Sequence, residues 1–184
     1  MPAEIDKSVF TNYPIDTYGE IWKELSPLPF TKKTGLPPDS LCFLQMGTIR
    51  KYIVNAKEDV TEDISVDFYF TGTIFTANTA KDAENAFIFE PISSGMLWHV
   101  DMRVVRRLFE ESKLCATTQK VFLEEQLRQK TIREIQLLRA SPKEIYLYLL
   151  RNKPYFLENV PLKYLASYIG ITPQALSRIR KQIY

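Results

Sequence analysis

The residues best suited to chemistry in this chain lie in the segment from Leu162 to Lys181, LKYLASYIGITPQALSRIRK, and the chemistry is recognition. Gln174, Ser177, Arg178 and Lys181 follow one another at spacings of three, one and three, which sets them on one side of a helix. A helix of this kind fits the major groove of duplex DNA. There an arginine pairs bidentately with guanine and a glutamine with adenine, each worth about 1 to 3 kcal/mol against a wrong base. Gln174, Ser177 and Arg178 are therefore the expected base readers. Lys163, Thr172, Arg180 and Lys181 are the expected phosphate contacts, Thr172 because it opens a helix whose first amides are free to donate.

Such a face has to be held by its back. Leu165, Ala166 and Ile169 form the inner stripe of one helix and Leu176 with Ile179 that of the next, with Gly170 at the corner between them. Ala166 is small where the second helix crosses, and Thr172 followed by Pro173 reads as N-cap and first helical position. The alternative is a helical hairpin inside a larger domain, its basic side merely solvated. Charge favours the first reading. Residues 141–184 hold seven basic side chains against two acidic ones, a balance of +5, so a chain of net charge +2 leaves −3 for the remainder.

The 184 residues suffice for one medium module and one small one. Between Lys32 and Val100, the runs LCFLQM, IRKYIV, ISVDFYF, AFIFEPI and MLWHV are separated by Gly, Pro, Asn and Asp, which predicts an antiparallel β barrel or sandwich. Asn55 to Asp59, NAKED, fits a hairpin loop, Pro14 to Leu25 a short helix, and the Pro27 and Pro29 pair an irregular connection. Asp101 reads as the N-cap of a helix through Phe109, and a longer helix runs from about Thr117 to Arg139 without proline or glycine. Val121, Phe122, Ile132, Ile135 and Leu138, with Glu125 and Arg128 between them, suggest a stripe that a second copy of the helix would cover, making a homodimer. Paired reading helices would then lie roughly 34 Å apart, one DNA turn. The competing expectation is a helix buried wholly against its own β domain. Ser141 and Pro142 restart the pattern in KEIYLYLLRN, the expected first helix of a three-helix module, with Ser141 as hinge.

Cys42 and Cys115 fit no metal-ligand spacing and read as reduced thiols. No run is long and apolar enough to span a membrane, and MPAEIDKSVF lacks the pattern of a leader, so the expected location is cytoplasmic. Enzymes built on small β rolls need two or three histidines with a carboxylate, whereas His99 is the sole histidine. The aromatic residues Phe68, Tyr69, Phe70, Phe75, Phe87, Phe89 and Trp98 suit a pocket for an apolar ligand, but core packing explains them as well. No catalytic residue and no metal site is expected.

The order of parts resembles the Crp/Fnr family of bacterial transcription regulators. The resemblance spans the chain and is carried by VPLKYLASYIGITPQALSRIRK at the end and by FLQMGTIRKY at Phe43 to Tyr52, which looks like the family's strand, glycine turn and strand around Gly47. It implies an α+β chain in three parts. Residues 1–112 would be a cyclic-nucleotide-binding-like antiparallel β-roll, cupin-like or double-stranded β-helix in form, that senses an effector. Residues 113–140 would be the dimerisation helix, and residues 141–184 the helix-turn-helix domain that reads DNA. Two departures qualify the carry-over. Members that bind cyclic AMP have a glycine-glutamate pair and a following arginine on the cyclic phosphate. Here Thr73 follows Gly72, and acidic Glu84 stands near the arginine's place with only Lys81 as a substitute, which argues against cyclic AMP. The family also adds a β-hairpin wing after the recognition helix, whereas this sequence ends at Tyr184, so a short wingless form is expected. The expectation is a homodimeric, sequence-specific regulator of Crp/Fnr type that binds double-stranded DNA and answers to an unidentified small-molecule effector and to RNA polymerase. The alternative is a small-molecule-binding or protein-interaction dimer that keeps the helical module as a scaffold.

Overall fold

The computed structural model describes residues 4–11, 13, 15–57, 60–78, 86–111 and 113–183. Among the described residues, seven strands form the front half: β1 (Ser26–Phe30), β2 (Ser40–Met46), β3 (Thr48–Lys57), β4 (Val60–Phe70), β5 (Thr73–Ala77), β6 (Ile88–Pro91) and β7 (Gly95–Asp101). All pair antiparallel in two sheets, ordered β1-β7-β2-β5 and β4-β3-β6. Alternation along β2 divides its side chains between two cores. Cys42 and Leu44 face the space between the sheets with Ile49, Tyr69, Phe75 and Leu97, while Leu41 and Phe43 face outward under Phe10, Ile21 and Val105. Because both faces are covered, β2 is buried from Ser40 to Leu44 and reads as a continuous apolar run.

Gly47 links β2 to β3 at φ 116, and a Cβ there would stand 2.8 Å from the Phe30 ring, so the turn admits glycine alone. Pro27 and Pro29, expected in an irregular connection, instead belong to a strand. β1 lies at a sheet edge, and two prolines two residues apart both turn their missing N–H away from β7. The helix expected from Pro14 is a 3-10 segment over Ile15–Lys23, interrupted at Gly19; Pro14 itself lies outside the described residues, as do Glu58 and Asp59 of the expected hairpin loop.

Six α-helices follow among the described residues: α1 (Met102–Glu111), α2 (Lys113–Arg139), α3 (Pro142–Asn152), α4 (Tyr155–Asn159), α5 (Leu162–Ile169) and α6 (Pro173–Lys181). The Asp101 carboxylate accepts from the Arg103 amide at 2.7 Å and starts α1. At 27 residues, α2 is about 40 Å long and begins four residues before its expected start. Ser141 caps α3 through a reciprocal pair, its hydroxyl accepting from the Glu144 amide and its own amide donating to the Glu144 carboxylate at 2.7 Å. The expected three-helix module has a fourth member, α4, whose single turn is too short to show a helical period between Pro154 and Pro161. Ile145, Tyr146, Leu149, Phe156, Leu165, Ile169 and Leu176 form this module's core, which Phe68 of β4 joins. No helix among the described residues is long and apolar enough to cross a membrane.

Candidate nucleic-acid interface

The corner between α5 and α6 is built from local chemistry. Gly170 ends α5 in the left-handed conformation at φ 86, and its amide donates to the carbonyls of Ala166 and Ser167. Ile171 donates to Ala166 at 3.0 Å, so the last turn closes on itself. Two residues on, Thr172 takes an extended conformation and its hydroxyl accepts from the Ala175 amide at 3.2 Å, with Pro173 at the first helical position. The back of the pair is sealed, since Ala166 and Leu176 are wholly buried and Leu165 and Ile169 nearly so.

The front is open. Gln174, Arg178, Arg180 and Lys181 are exposed, and Ser177 is half-buried. Among the described residues Arg178, Arg180 and Lys181 enter no ion pair, so their charge is available to a partner. The three also sit in the last turn of α6, where they complement the helix dipole whatever else they do. Lys163 is exposed on α5, its ammonium 4.5 Å over the Tyr164 ring, and Thr172 is exposed with its hydroxyl proton still to give.

The expected dimer residues on α2 separate into two sets. Val121 and Ile135 are exposed, as are Glu125 and Arg128, which bond to each other at 2.7 and 2.8 Å. Those bonds, with one from Gln129, hold the Glu125 carboxyl down to about 2. Phe122 and Ile132 do not belong to an outward stripe. Phe122 turns to its own subunit, 6.1 Å from the Tyr13 ring, and Ile132 is half-buried beside β4. Leu138, expected in the stripe, is exposed, and the outward apolar residues include three further leucines not expected there: Leu123, Leu127 and Leu137. Leu127 is 68% and Leu138 78% exposed, about three turns apart on one side. The signal was in the sequence, but α2 is apolar on two sides, and periodicity alone does not say which side its own β-domain takes.

A second feature escaped sequence reading altogether. Arg50 on β3 is 1% exposed, its Nε donating to the Ser65 hydroxyl at 2.9 Å and Nη1 to Glu90 at 3.2 Å. Its guanidinium lies between the rings of Tyr52 and Tyr164, the latter on α5. Beside it the Ser167 hydroxyl accepts from the Ser65 amide at 2.9 Å and donates to the Asp63 carbonyl at 3.0 Å. These bonds satisfy two backbone groups on the free edge of β4 and fix α5 against the sheet by the face opposite α6.

The remaining candidates are structural or lie outside the described residues. His99 is in β7, half-buried, and burial lowers its pKa. No cluster of three metal-ligating side chains occurs among the described residues. Cys42 is buried and unbridged; the side chain of Cys115 lies outside the described set. Tyr69, Phe75 and Phe89 stack between the sheets at 4.1 to 6.2 Å, while Phe68 and Phe70 face the C-terminal helices. The aromatic run therefore divides between cores. Gly72 lies in the turn between β4 and β5, Thr73 is the first residue of β5, and Lys81 and Glu84 are outside the described residues.

No protein-family model matches the sequence, and no curated protein matches it by sequence. Solved structures do match by shape. FixK2 from Bradyrhizobium japonicum superposes with a TM-score of 0.67 at 14% identity, covering 86% of this chain and 84% of that one. A protein of Eubacterium rectale assigned to the transcriptional regulators of the Crp/Fnr family gives 0.66 at 14% identity, over 95% and 85%. A mutant CooA from Carboxydothermus hydrogenoformans gives 0.64 at 16% identity, over 88% and 77%. The structural neighbours over most of the chain are Crp/Fnr regulators, and the architecture of antiparallel sheets followed by helices is theirs.

Proposed function

We propose that this chain is a sequence-specific DNA-binding transcription regulator of Crp/Fnr type, acting in the cytoplasm as a homodimer that sets two copies of α6 in adjacent major grooves. The observation that carries this reading is the division of α6 into a sealed back, Leu176 wholly buried, and an open front on which Gln174 and Arg178 are exposed. Arg178 pairs with guanine, Gln174 with adenine, and Ser177 contributes from its exposed part. Lys163, Thr172, Arg180 and Lys181 hold the phosphates. Residues 1–112 are the sensing part, 113–140 the dimerisation helix and 141–184 the reading part. The outward leucines of α2 meet their equivalents in the second copy. The effector is a small molecule other than cyclic AMP, and RNA polymerase is the downstream partner.

Selection of bound sequences from a random duplex pool tests the reading. A consensus with two-fold symmetry and half-sites about one turn apart supports it, as does an affinity that falls steeply with salt. A pool that emerges unenriched sinks it.

A further inference from the structure

Where β4, α2 and the C-terminal helices meet, the chain encloses a cavity of about 290 Å³ that neither the reading face nor the dimer stripe uses. Its charged lining is unbalanced. Asp67 is the single acid, and Lys130, which bonds to it, Arg133 and Lys153 stand around it; Arg128, also at the wall, is engaged with Glu125. Arg133 and Lys153 form no ion pair among the described residues and share the charge of Asp67 with Lys130. The Arg133 Nη2 donates to the Tyr168 carbonyl and the guanidinium lies 3.9 Å over the Tyr168 ring, but Nη1 is buried and meets no acceptor among the described residues.

Burial lowers the pKa of both groups, Asp67 offsets this only in part, and the charge of Arg133 lowers that of Lys153 further. Two cations partly withdrawn from water beside each other, one with a dry donor, are costly unless an anion joins them. A seam built only for packing would place an acceptor at Nη1, as the seam around Arg50 does. The cavity also continues into a cleft of about 1020 Å³, walled by Phe68, Phe70, Tyr155 and Phe156, with Asp67, Gln126, Gln129, Lys153 and Tyr168 common to both.

We propose that this junction binds a small organic anion, whose carboxylate or phosphate lies between Arg133 and Lys153 and whose aromatic or apolar body extends along Phe68 and Tyr155. The anion bridges strand, long helix and reading module at once, so its occupancy holds the module in the docked position. The site is independent of whether α6 reads DNA.

Thermal unfolding of the full chain tests it, with inorganic phosphate, phenyl phosphate or benzoate compared with chloride at equal ionic strength. A saturable rise of about 3 °C or more in Tm is expected from phenyl phosphate or benzoate, and the better of the two identifies the headgroup. Line broadening of phenyl phosphate in 31P spectra gives an independent reading of binding. Arg133→Gln should abolish the response; because Arg133 also packs on Tyr168, Lys153→Gln serves as the second variant and should weaken it at least tenfold. Arg178→Ala should leave it intact. The site is overturned if none of the three anions exceeds chloride, if Lys153→Gln responds as the unaltered chain does, or if the response disappears with Arg178→Ala.

Discussion

Arg50 on β3 lies 4.0 Å beneath the ring of Tyr164 on α5, so the sheet and the helix that backs α6 meet through one buried cation. The strand side supplies the hydrogen bonds, from Arg50 to Ser65 and Glu90, and the helix side supplies a π face. An arginine suits the position because its planar group can stack and donate in several directions together, which a lysine cannot.

Replacing Arg50 with Met should cost about 2 to 4 kcal/mol in urea unfolding, because Ser65 and Glu90 lose a donor in a part-buried setting. Tyr164→Leu should cost less, about 1 kcal/mol. The two are coupled, so the double variant should be about 0.5 to 2 kcal/mol more stable than the sum of the single losses implies. Strict additivity would show that the stacking contributes nothing.

The parts legible in the sequence were those fixed by neighbours along the chain. Gly170, Thr172 and Pro173 each act within four residues, and so the α5–α6 corner and its exposed and buried faces follow from the local pattern. Arg50 was not legible, since its partners Asp63, Ser65, Glu90 and Tyr164 come from three other elements, and an arginine in an alternating strand reads as solvent-facing. The cation-lined junction has the same origin, with Asp67, Arg133 and Lys153 drawn from β4, α2 and the end of α3. β1 was hidden because proline excludes a residue from central strands and only topology reveals an edge. Phe122 and Ile132 were placed outward because a helix covered on one side by its own subunit and apolar on the other shows two stripes rather than one.

The exposed leucines of α2 make the dimer testable. Leu127→Asp or Leu138→Asp puts a charge at a position now 68% or 78% exposed, where a lone chain tolerates it. In a symmetric dimer each change occurs twice at the interface, removing about 1.5 to 3 kcal/mol of leucine burial per copy. Sedimentation should show the unaltered chain as a dimer and either variant as a folded monomer. Phe122→Asp should instead unfold the chain, since Phe122 packs against its own core.

Cys42 gives the fold a defined response to alkali. Burial pushes its thiol up to about 12, whereas in the unfolded chain it ionises near 8.5. A raised thiol pKa means that the folded state keeps a proton which the unfolded state has lost. The associated stability is complete below about 8.5 and declines as the pH rises toward 12. Between pH 8 and 10 the unaltered chain should therefore lose stability that Cys42→Ala does not lose. In a Cys115→Ser background, Cys42 should react with thiol reagents only as the protein unfolds.

Arg178 and Lys181 share the exposed side of α6 but should fail in different ways, which separates reading from holding. On the proposed reading, Arg178→Ala removes a bidentate base contact. It should weaken the selected site by about 1 to 3 kcal/mol and leave binding to unrelated DNA nearly unchanged, so that discrimination falls. Lys181→Ala, on the same reading, removes a phosphate contact and should lower affinity for every sequence by a similar factor, reducing the slope of log affinity against log salt by about 1 per subunit. Both side chains are free of ion pairs among the described residues, so neither change should disturb folding. Binding isotherms at three salt concentrations on matched and scrambled duplexes resolve the two effects. If Arg178→Ala lowers affinity equally on both duplexes, α6 grips the backbone and sequence is read elsewhere.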